Sequence, residues 1–190
     1  MPRISGTKRA ILDAALELGA QHGISGTTMD EVAERAGVAK GSVYYNFSSK
    51  DKLFEELLTA GVSQLAAVLR EARLAHAGWA SVESMVSAML ELIRDNRALA
   101  KLMAAEIFRT DRVWQHSILV LRREVLSEFV QAIRPLNPEP GDEGQELLMA
   151  ASIFGASLMG GLEWLVFSPE RPVAEVSAAI LYPFSGRLAQ

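Results

Sequence analysis

The chain has 190 residues, enough for one large domain or two small ones. It carries 19 lysines and arginines against 23 aspartates and glutamates, and the resulting net charge of -4 excludes a chain that is basic throughout. The absence of cysteine excludes a disulfide framework and a thiolate metal site. No signal peptide opens the chain, so we expect a cytoplasmic protein.

Two helices are predicted near the N-terminus. Apolar residues at helical spacing predict the first helix over residues 8 to about 22. Thr28 is followed three residues later by Glu31, which is the spacing of a capping box, so the second helix should begin at Met29. Gly37 stands where a helix-ending residue with positive φ is needed.

A third, short helix is predicted from about residue 40 to residue 47, and its two faces differ. Val43 and Phe47 are four residues apart and should both face the core. The opposite face carries Tyr45 and Gly41, and a glycine lets the backbone approach another surface closely. This layout predicts a helix-turn-helix whose third helix lies in the major groove of DNA. The alternative is an ordinary helical hairpin with exposed tyrosines.

The predicted DNA contacts are side chains that can meet phosphate oxygens or base edges, together with the glycine. Asn46 can pair with adenine, although its helix angle places it nearer to the core than Tyr45. Ala39 offers no capping hydroxyl to the third helix, a loss that typically costs about 0.5–2 kcal/mol. The predicted DNA-binding residues are Thr28, Lys40, Gly41, Ser42, Tyr44, Tyr45, Asn46 and Lys50.

Positive charge is local rather than general in this chain. Dividing the sequence at residue 60 leaves both parts weakly acidic. Cations nevertheless gather in the N-terminal arm, at Arg3, Lys8 and Arg9, and around the third helix, at Lys40 and Lys50. A basic footprint at one end is compatible with an acidic total, and it predicts modest non-specific affinity for DNA.

The N-terminal segment resembles the signature of the tetracycline-repressor (TetR) family, in a gapless match over about residues 5 to 60. Ala39 departs from the serine or threonine frequent in the family, and Asn46 departs from its histidine. The resemblance implies a dimeric, all-helical bacterial transcription regulator that a small molecule releases from DNA. It rests on Thr27, Thr28, Val32, Ala33, Ala36, Gly37, Val38, Gly41, Ser42, Val43, Tyr44, Tyr45, Phe47, Lys50 and Leu53.

We therefore expect an all-α fold with two domains: a helix-turn-helix domain over residues 1–50, and a helical effector-binding and dimerisation domain over residues 51–190. A long helix from about residue 51 to residue 75 should join the two. The remaining predicted boundaries are a break at Ala77 and Gly78, helix starts at Ser81 and Asp111, a break at Asp95 and Asn96, and a loop from Pro135 to Gly141.

Residues 147–167 form an apolar segment with one charge, Glu163. Its length alone allows a membrane span, but its serines and the lack of a basic flank favour a helix buried on every side. We expect a core on one side and a second subunit on the other. A last helix from about Val173 should end or kink at Pro183. The family resemblance implies that these two helices pair with their copies, so that two reading helices meet half-sites about 34–36 Å apart.

A ligand site is predicted from flexible methionines and flat aromatic side chains, which suit an adaptable apolar cavity. Residue by residue, the alternative is that each belongs to an ordinary core. Glu106, Arg109 and His116 could supply polar contacts or could be solvated. The predicted pocket residues are Met85, Met89, Met103, Phe108, Trp114, Phe154 and Leu158, with Met159 beside them.

Two other functions stay open. The first is a DNA-binding dimer without any effector. The second, more remote, is an enzyme, although His22, His76 and His116 stand far apart and match no metal-ligand spacing. No phosphate loop or nucleophile elbow is present in the sequence, and we expect no cofactor and no metal.

Overall fold

The computed structural model describes residues 6–106, 109, 114–137 and 142–188, without the side chains of residues 118, 121, 187 and 188. All regular secondary structure in these ranges is helical, which confirms the predicted all-α fold. The helices are α1 (Gly6–Gly26), α2 (Met29–Ala36), α3 (Lys40–Asn46), α4 (Lys50–Ala75), α5 (Trp79–Asp95), α6 (Arg97–Glu106), α7 (Gln115–Ile133), α8 (Glu143–Phe167) and α9 (Val173–Leu188), with a 3-10 turn at Arg134–Leu136.

The first compact unit comprises residues 1–61 and 98–118. Its core joins the buried faces of α1, α2 and α3 to the first turns of α4, where Leu53 and Phe54 are fully buried. The division therefore differs from the one predicted at residue 50. The start of α4 packs into the helix-turn-helix core, and Leu102 of α6 joins it.

The second compact unit comprises residues 62–97 and 119–190, and α5, α8 and α9 pack against one another in it. Two glycines of α8 allow this close packing. A side chain at Gly161 would stand 3.0 Å from Leu90 of α5, and one at Gly160 would stand 2.8 Å from Ile180 of α9. Small residues in α8 thus let its axis approach those of α5 and α9 within the chain.

Buried carboxylates in the second unit are paired with arginines. Glu128 of α7, whose side chain is 3% exposed, accepts from Arg70 at 2.9 Å and from Arg73 at 2.8 Å. The Glu146 carboxylate of α8 accepts from Nε of Arg134 at 3.1 Å and from Nη2 of the same guanidinium group at 2.6 Å, and these hydrogen bonds lower the pKa of Glu146. A buried charge without such a partner would be strongly destabilising.

Several predicted helix boundaries are wrong. The first helix begins at Gly6 rather than at Lys8, but its regular part ends at Gly23 as predicted, because Gly23 is non-helical at φ 71° and ψ 163° and separates it from a last turn that reaches Gly26. Ser81 does not begin α5. The helix starts at Trp79, and the Ser81 hydroxyl is buried and donates to the Arg73 carbonyl oxygen at 3.1 Å.

The C-terminal boundaries also need correction. α7 begins at Gln115, and the predicted cap Asp111 lies outside the described residues. Pro135 is part of the 3-10 turn rather than of an irregular loop, whereas residues 138–141 are outside the described ranges. Of the two outcomes predicted at Pro183, an end of α9 is contradicted, since the helix continues through Pro183 to Leu188, and a kink stays a prediction.

Candidate nucleic-acid interface

The start of α2 is fixed by the predicted capping box. The Thr28 hydroxyl accepts from the Glu31 amide at 3.2 Å, while the Thr28 amide donates to the Glu31 carboxylate at 2.8 Å. These bonds from Thr28 lower the pKa of Glu31. Gly37 ends the helix with φ 65° and ψ 32°, the left-handed conformation expected of a helix-ending glycine. The turn into α3 is therefore specified locally at both ends of α2.

The two faces of α3 differ as predicted. Val43 is fully buried and Phe47, which follows the helix, is 3% exposed. On the other side Tyr45 is 91% exposed and Tyr44 is 47% exposed. A side chain added at Gly41 would meet nothing within 4 Å, so the backbone there is open to an approaching surface. Ala39 makes no capping hydrogen bond through its side chain, which confirms the missing cap.

Four of the predicted DNA contacts have partners inside the module, and one of them, Lys40, stays exposed while it pairs with Asp30 at 2.7 Å. The Lys50 ammonium group donates to the carbonyl oxygens of Thr27 at 2.9 Å and Ser25 at 3.3 Å. The Asn46 side-chain amide donates to the carbonyl oxygen of Ser42 at 2.8 Å, and Thr28 belongs to the capping box. These groups hold the α1–α2 junction and α3 in place. Lys40, Gly41, Ser42, Tyr44 and Tyr45 remain as the outward set.

Every lysine and arginine between residues 6 and 61 is engaged within the module. Lys50 holds the two carbonyl oxygens, and the Lys8 ammonium group also lies 5.2 Å from the centre of the Phe47 ring. The other cations meet carboxylates, so the module is largely neutralised by its own acids. The ion pairs are Lys8–Glu56 at 2.6 Å, Arg9–Asp13 at 4.0 Å, Arg35–Glu17 at 2.8 Å, Lys40–Asp30 at 2.7 Å and Lys52–Glu55 at 2.7 Å.

Sequence reasoning missed the part that the segment before α7 plays in the first unit. Trp114 is 2% exposed and belongs to the core of the helix-turn-helix unit. Three residues later, the Ser117 hydroxyl donates to the Glu55 carboxylate of α4 at 2.8 Å. The bonds from Lys52 and Ser117 lower the pKa of Glu55. No local pattern indicates a contact between residues so far apart in the chain.

The predicted pocket residues are divided between the two units. Met103 and Trp114 belong to the first unit. Met85 and Met89 are fully buried in α5, and Phe154 packs edge-on against Phe129 with ring centres 6.4 Å apart. Leu158 is half-buried, Met159 is 62% exposed, and Phe108 lies outside the described residues. A surface groove formed by α7, the 3-10 turn and α8 is lined by none of the predicted residues.

The second compact unit also exposes an apolar stripe on α8. One side of this helix is buried, with Ala150, Ile153 and Trp164 facing the core. The chain itself therefore supplies the core predicted on one side of α8, and the second subunit expected on the other side stays a prediction. The exposed stripe consists of Leu148 at 71%, Met159 at 62%, Val166 at 55% and Phe167 at 71%.

Two further properties of the described residues are their capacity to hold a metal ion and to cross a membrane. Among the described residues, no group of three or more histidine, aspartate or glutamate side chains could hold a metal ion. By length and composition α8 could cross a membrane, and it is the one such helix in the described part of the chain. Core helices of globular proteins often pass the same test, so this is a weak indication.

The sequence of this chain is similar to those of known regulatory proteins. Residues 11–57 match the family described as bacterial regulatory proteins, tetR family. The chain is 34% identical over 104 residues to the transcriptional regulator RutR of Escherichia coli K12, covering 55% of this chain and 49% of RutR. It is 28% identical over 135 residues to the transcriptional repressor KstR2 of Rhodococcus jostii, covering 70% and 62% of the two chains. The chain thus spans about half the length of RutR.

The fold is similar to solved structures over nearly the whole chain. The regulator FadR of Bacillus subtilis, solved in complex with stearoyl-CoA, superposes with a TM-score of 0.79 over 94% of this chain and 97% of FadR, at 19% identity. Fold and site together define a helix-turn-helix protein with a helical C-terminal unit. The match to the tetR family runs from α1 into α4, and it supports a TetR-family transcriptional regulator.

Proposed function

We propose that the chain binds operator DNA in the cytoplasm through the outward face of α3 and represses transcription. The observation that carries this proposal is the division of α3, in which a fully buried Val43 stands opposite a 91% exposed Tyr45. The open backbone at Gly41 and the hydroxyls of Ser42 and Tyr44 lie on the same short helix. Hydroxyl and ammonium groups on such a helix suit phosphate and base-edge contacts.

Selection of bound genomic fragments by the purified protein tests this proposal. We expect enrichment of a two-fold symmetric site, followed by weaker gel-shift binding of that site by Tyr45→Ala at fixed salt. Tyr45→Phe is the matched control, because it keeps the ring and removes only the hydroxyl. Unchanged affinity in the alanine variant, or no enriched fragment, would refute the assigned surface.

We also propose that two copies associate through α8 and α9. The exposed residues of α8 recur at helical spacing on the side opposite its buried face, and Tyr182 of α9 is 81% exposed. A side chain at Gly155, within this stripe, would meet nothing inside the chain within 4 Å. Apolar patches of this kind are typical of protein interfaces. A dimer would cover the stripe and supply the two reading helices for a symmetric site.

Light scattering after size exclusion tests the dimer. Met159→Lys should shift the protein towards the monomer, because it places a charge in the centre of the apolar stripe. Leu74→Lys is the control, since Leu74 of α4 is a similarly exposed apolar side chain outside the stripe. Equal oligomeric states for wild type and Met159→Lys would refute this interface.

Finally, we propose that a small apolar ligand binds the C-terminal unit and releases the DNA. Support comes from the buried Met85 and Met89 and from the half-buried Phe154 and Leu158, which offer adaptable apolar walls. The FadR protein of similar fold is described with a bound acyl-CoA. A ligand shifts DNA binding only if its affinity differs between the bound and released conformations.

A thermal-shift screen of hydrophobic small molecules, followed by gel shifts with any stabilising compound, tests this third proposal. We expect at least one compound that raises the melting temperature and lowers operator affinity. If no compound stabilises the protein, the alternative of a DNA-binding dimer without an effector is favoured.

A further inference from the structure

The ion pair between Asp30 and Lys40 links α3, the helix proposed to contact DNA, to α2. The Lys40 ammonium nitrogen lies 2.7 Å from Asp30 Oδ2, and the two side chains are 59% and 61% exposed. Lys40 is the first residue of α3, whereas Asp30 lies in the first turn of α2. A lysine at the start of a helix faces the positive end of the helix dipole, so the carboxylate offsets an unfavourable charge there.

Lys40 is also the only charged residue in the sequence of α3. Whatever charge this helix offers to a DNA phosphate is therefore already held by Asp30. The hydrogen bond from Lys40 to Asp30 raises the pKa of Lys40, which keeps the ammonium form and the pair intact. Since the pair is exposed, it is weak enough for a well-placed phosphate to displace the carboxylate.

We infer that Asp30 is a specificity-determining residue that withholds Lys40 from non-specific DNA. This inference rests on the proposed function of operator binding. A loosely docked duplex offers no fixed phosphate to α3, so Lys40 stays with Asp30. When base-edge contacts seat α3 on its operator, a phosphate is held beside Lys40 and takes the place of the carboxylate. Non-specific binding depends almost entirely on phosphate contacts, so withholding one cation weakens it selectively.

The paired state of the rest of the module strengthens this argument. The other cations between residues 6 and 61 are held by carboxylates or carbonyl oxygens. Because almost all positive charge on this surface is already paired, freeing one lysine of α3 would add a large share of the positive charge that DNA can contact. Asp30 is the carboxylate whose removal frees a cation of α3 itself.

The test compares Asp30→Asn with a matched control, Glu17→Gln. Both substitutions are nearly isosteric, remove one negative charge and break an exposed ion pair, but Glu17 pairs with Arg35 of α2 rather than with α3. Binding of the full chain is measured across a salt series on the operator fragment selected by wild type and on an unrelated duplex. The salt series reports the number of phosphates contacted.

For Asp30→Asn we expect affinity for the unrelated duplex to rise about three- to tenfold at low salt, with a salt slope steeper by about 0.9. Operator affinity should rise by less than about twofold, because Lys40 already contacts phosphate there. The ratio of operator to non-specific affinity therefore falls. Glu17→Gln should leave the salt slope unchanged.

A second variant pair links the effect to Lys40. In a Lys40→Gln background, Asp30→Asn should tighten non-specific binding no more than Glu17→Gln does. Thermal unfolding of each variant checks the fold, and Asp30→Ser replaces Asp30→Asn if the latter unfolds. The inference is overturned if Asp30→Asn and Glu17→Gln behave alike, or if the effect persists without Lys40. A wild-type chain that binds no duplex at all would instead overturn the proposed function.

Discussion

Helices α3 and α8 both present a face that the described chain leaves exposed, but the chemistry of the two faces is opposite. α3 has seven residues and exposes tyrosines, a serine and a lysine. α8 has 25 residues, and its exposed face carries leucine, methionine, valine and phenylalanine, with Ser152 and Glu163 among them. Groups that form hydrogen bonds suit a polar polymer, whereas bare hydrocarbon suits another protein surface. This difference agrees with the proposals that α3 binds DNA and that α8 pairs with a second subunit.

The largest expected effect lies on the inner side of α3. Val43→Asp should lower the free energy of unfolding by about 3–5 kcal/mol, because it buries a charge without a partner at a fully buried site. Tyr45→Asp, two residues further along, should stay within about 0.5 kcal/mol of wild type while weakening operator binding. Urea titration followed by circular dichroism measures both. Similar stability losses in the two variants would contradict the division of α3 into two faces.

The same comparison can be made on α8, with a smaller expected loss. Ala150 is fully buried, so Ala150→Asp should cost about 3 kcal/mol. Ser152→Asp lies on the exposed side, and it should preserve the fold of the chain while weakening dimerisation. Unfolding and light scattering together distinguish the two outcomes. If Ser152→Asp unfolded as readily as Ala150→Asp, the assignment of the buried side of α8 would be wrong.

Two glycine substitutions distinguish an effect on stability from an effect on DNA binding. Gly41→Ala should raise the free energy of unfolding by about 0.5–1 kcal/mol, because alanine favours helix and nothing lies within 4 Å of the added carbon. The same methyl group should lower operator affinity several-fold by blocking close approach of the α3 backbone. Gly155→Ala of α8, which also has open space, is the control. Because Gly155 lies in the apolar stripe, light scattering first checks that this variant still dimerises, and its affinity for the operator should then be unchanged. Gel shifts with both variants measure the difference.

The smallest expected effect is the pH dependence of the stability that Glu31 contributes. Glu31 has a lowered pKa in the folded chain because of its hydrogen bonds with Thr28. Its stabilising contribution is therefore present above the unfolded pKa, about 4.3, and is lost as the pH falls through the lower folded pKa. Glu31→Gln should be less stable than wild type at pH 7, and this difference should shrink on acidification. Urea midpoints at pH 7 and pH 3 measure it, and a constant difference would contradict the assignment.

The features that the sequence predicts correctly are local ones. The capping box at Thr28 and Glu31 and the helix-ending Gly37 depend on spacings of a few residues, and so does the inward direction of Val43. The hydrogen bonds of Lys50 depend on carbonyl oxygens more than 20 residues earlier, so its sequence position indicated DNA instead. Trp114 likewise joins a core built mainly from residues 11 to 58. Helical periodicity reports which side of a helix is apolar, but not which partner covers it.

The two ion pairs of Glu128 also restrict the motions that α4 can make. Its one buried carboxylate holds Arg70 and Arg73, which are three residues apart on α4. Successive residues of an α-helix are turned by about 100°, so twisting α4 about its own axis would pull at least one guanidinium group away. The rotational setting of this end of α4 is therefore locked. A displacement of this end of the helix at low cost is therefore a tilt that keeps both arginines beside Glu128, with the same side chains facing α7 throughout.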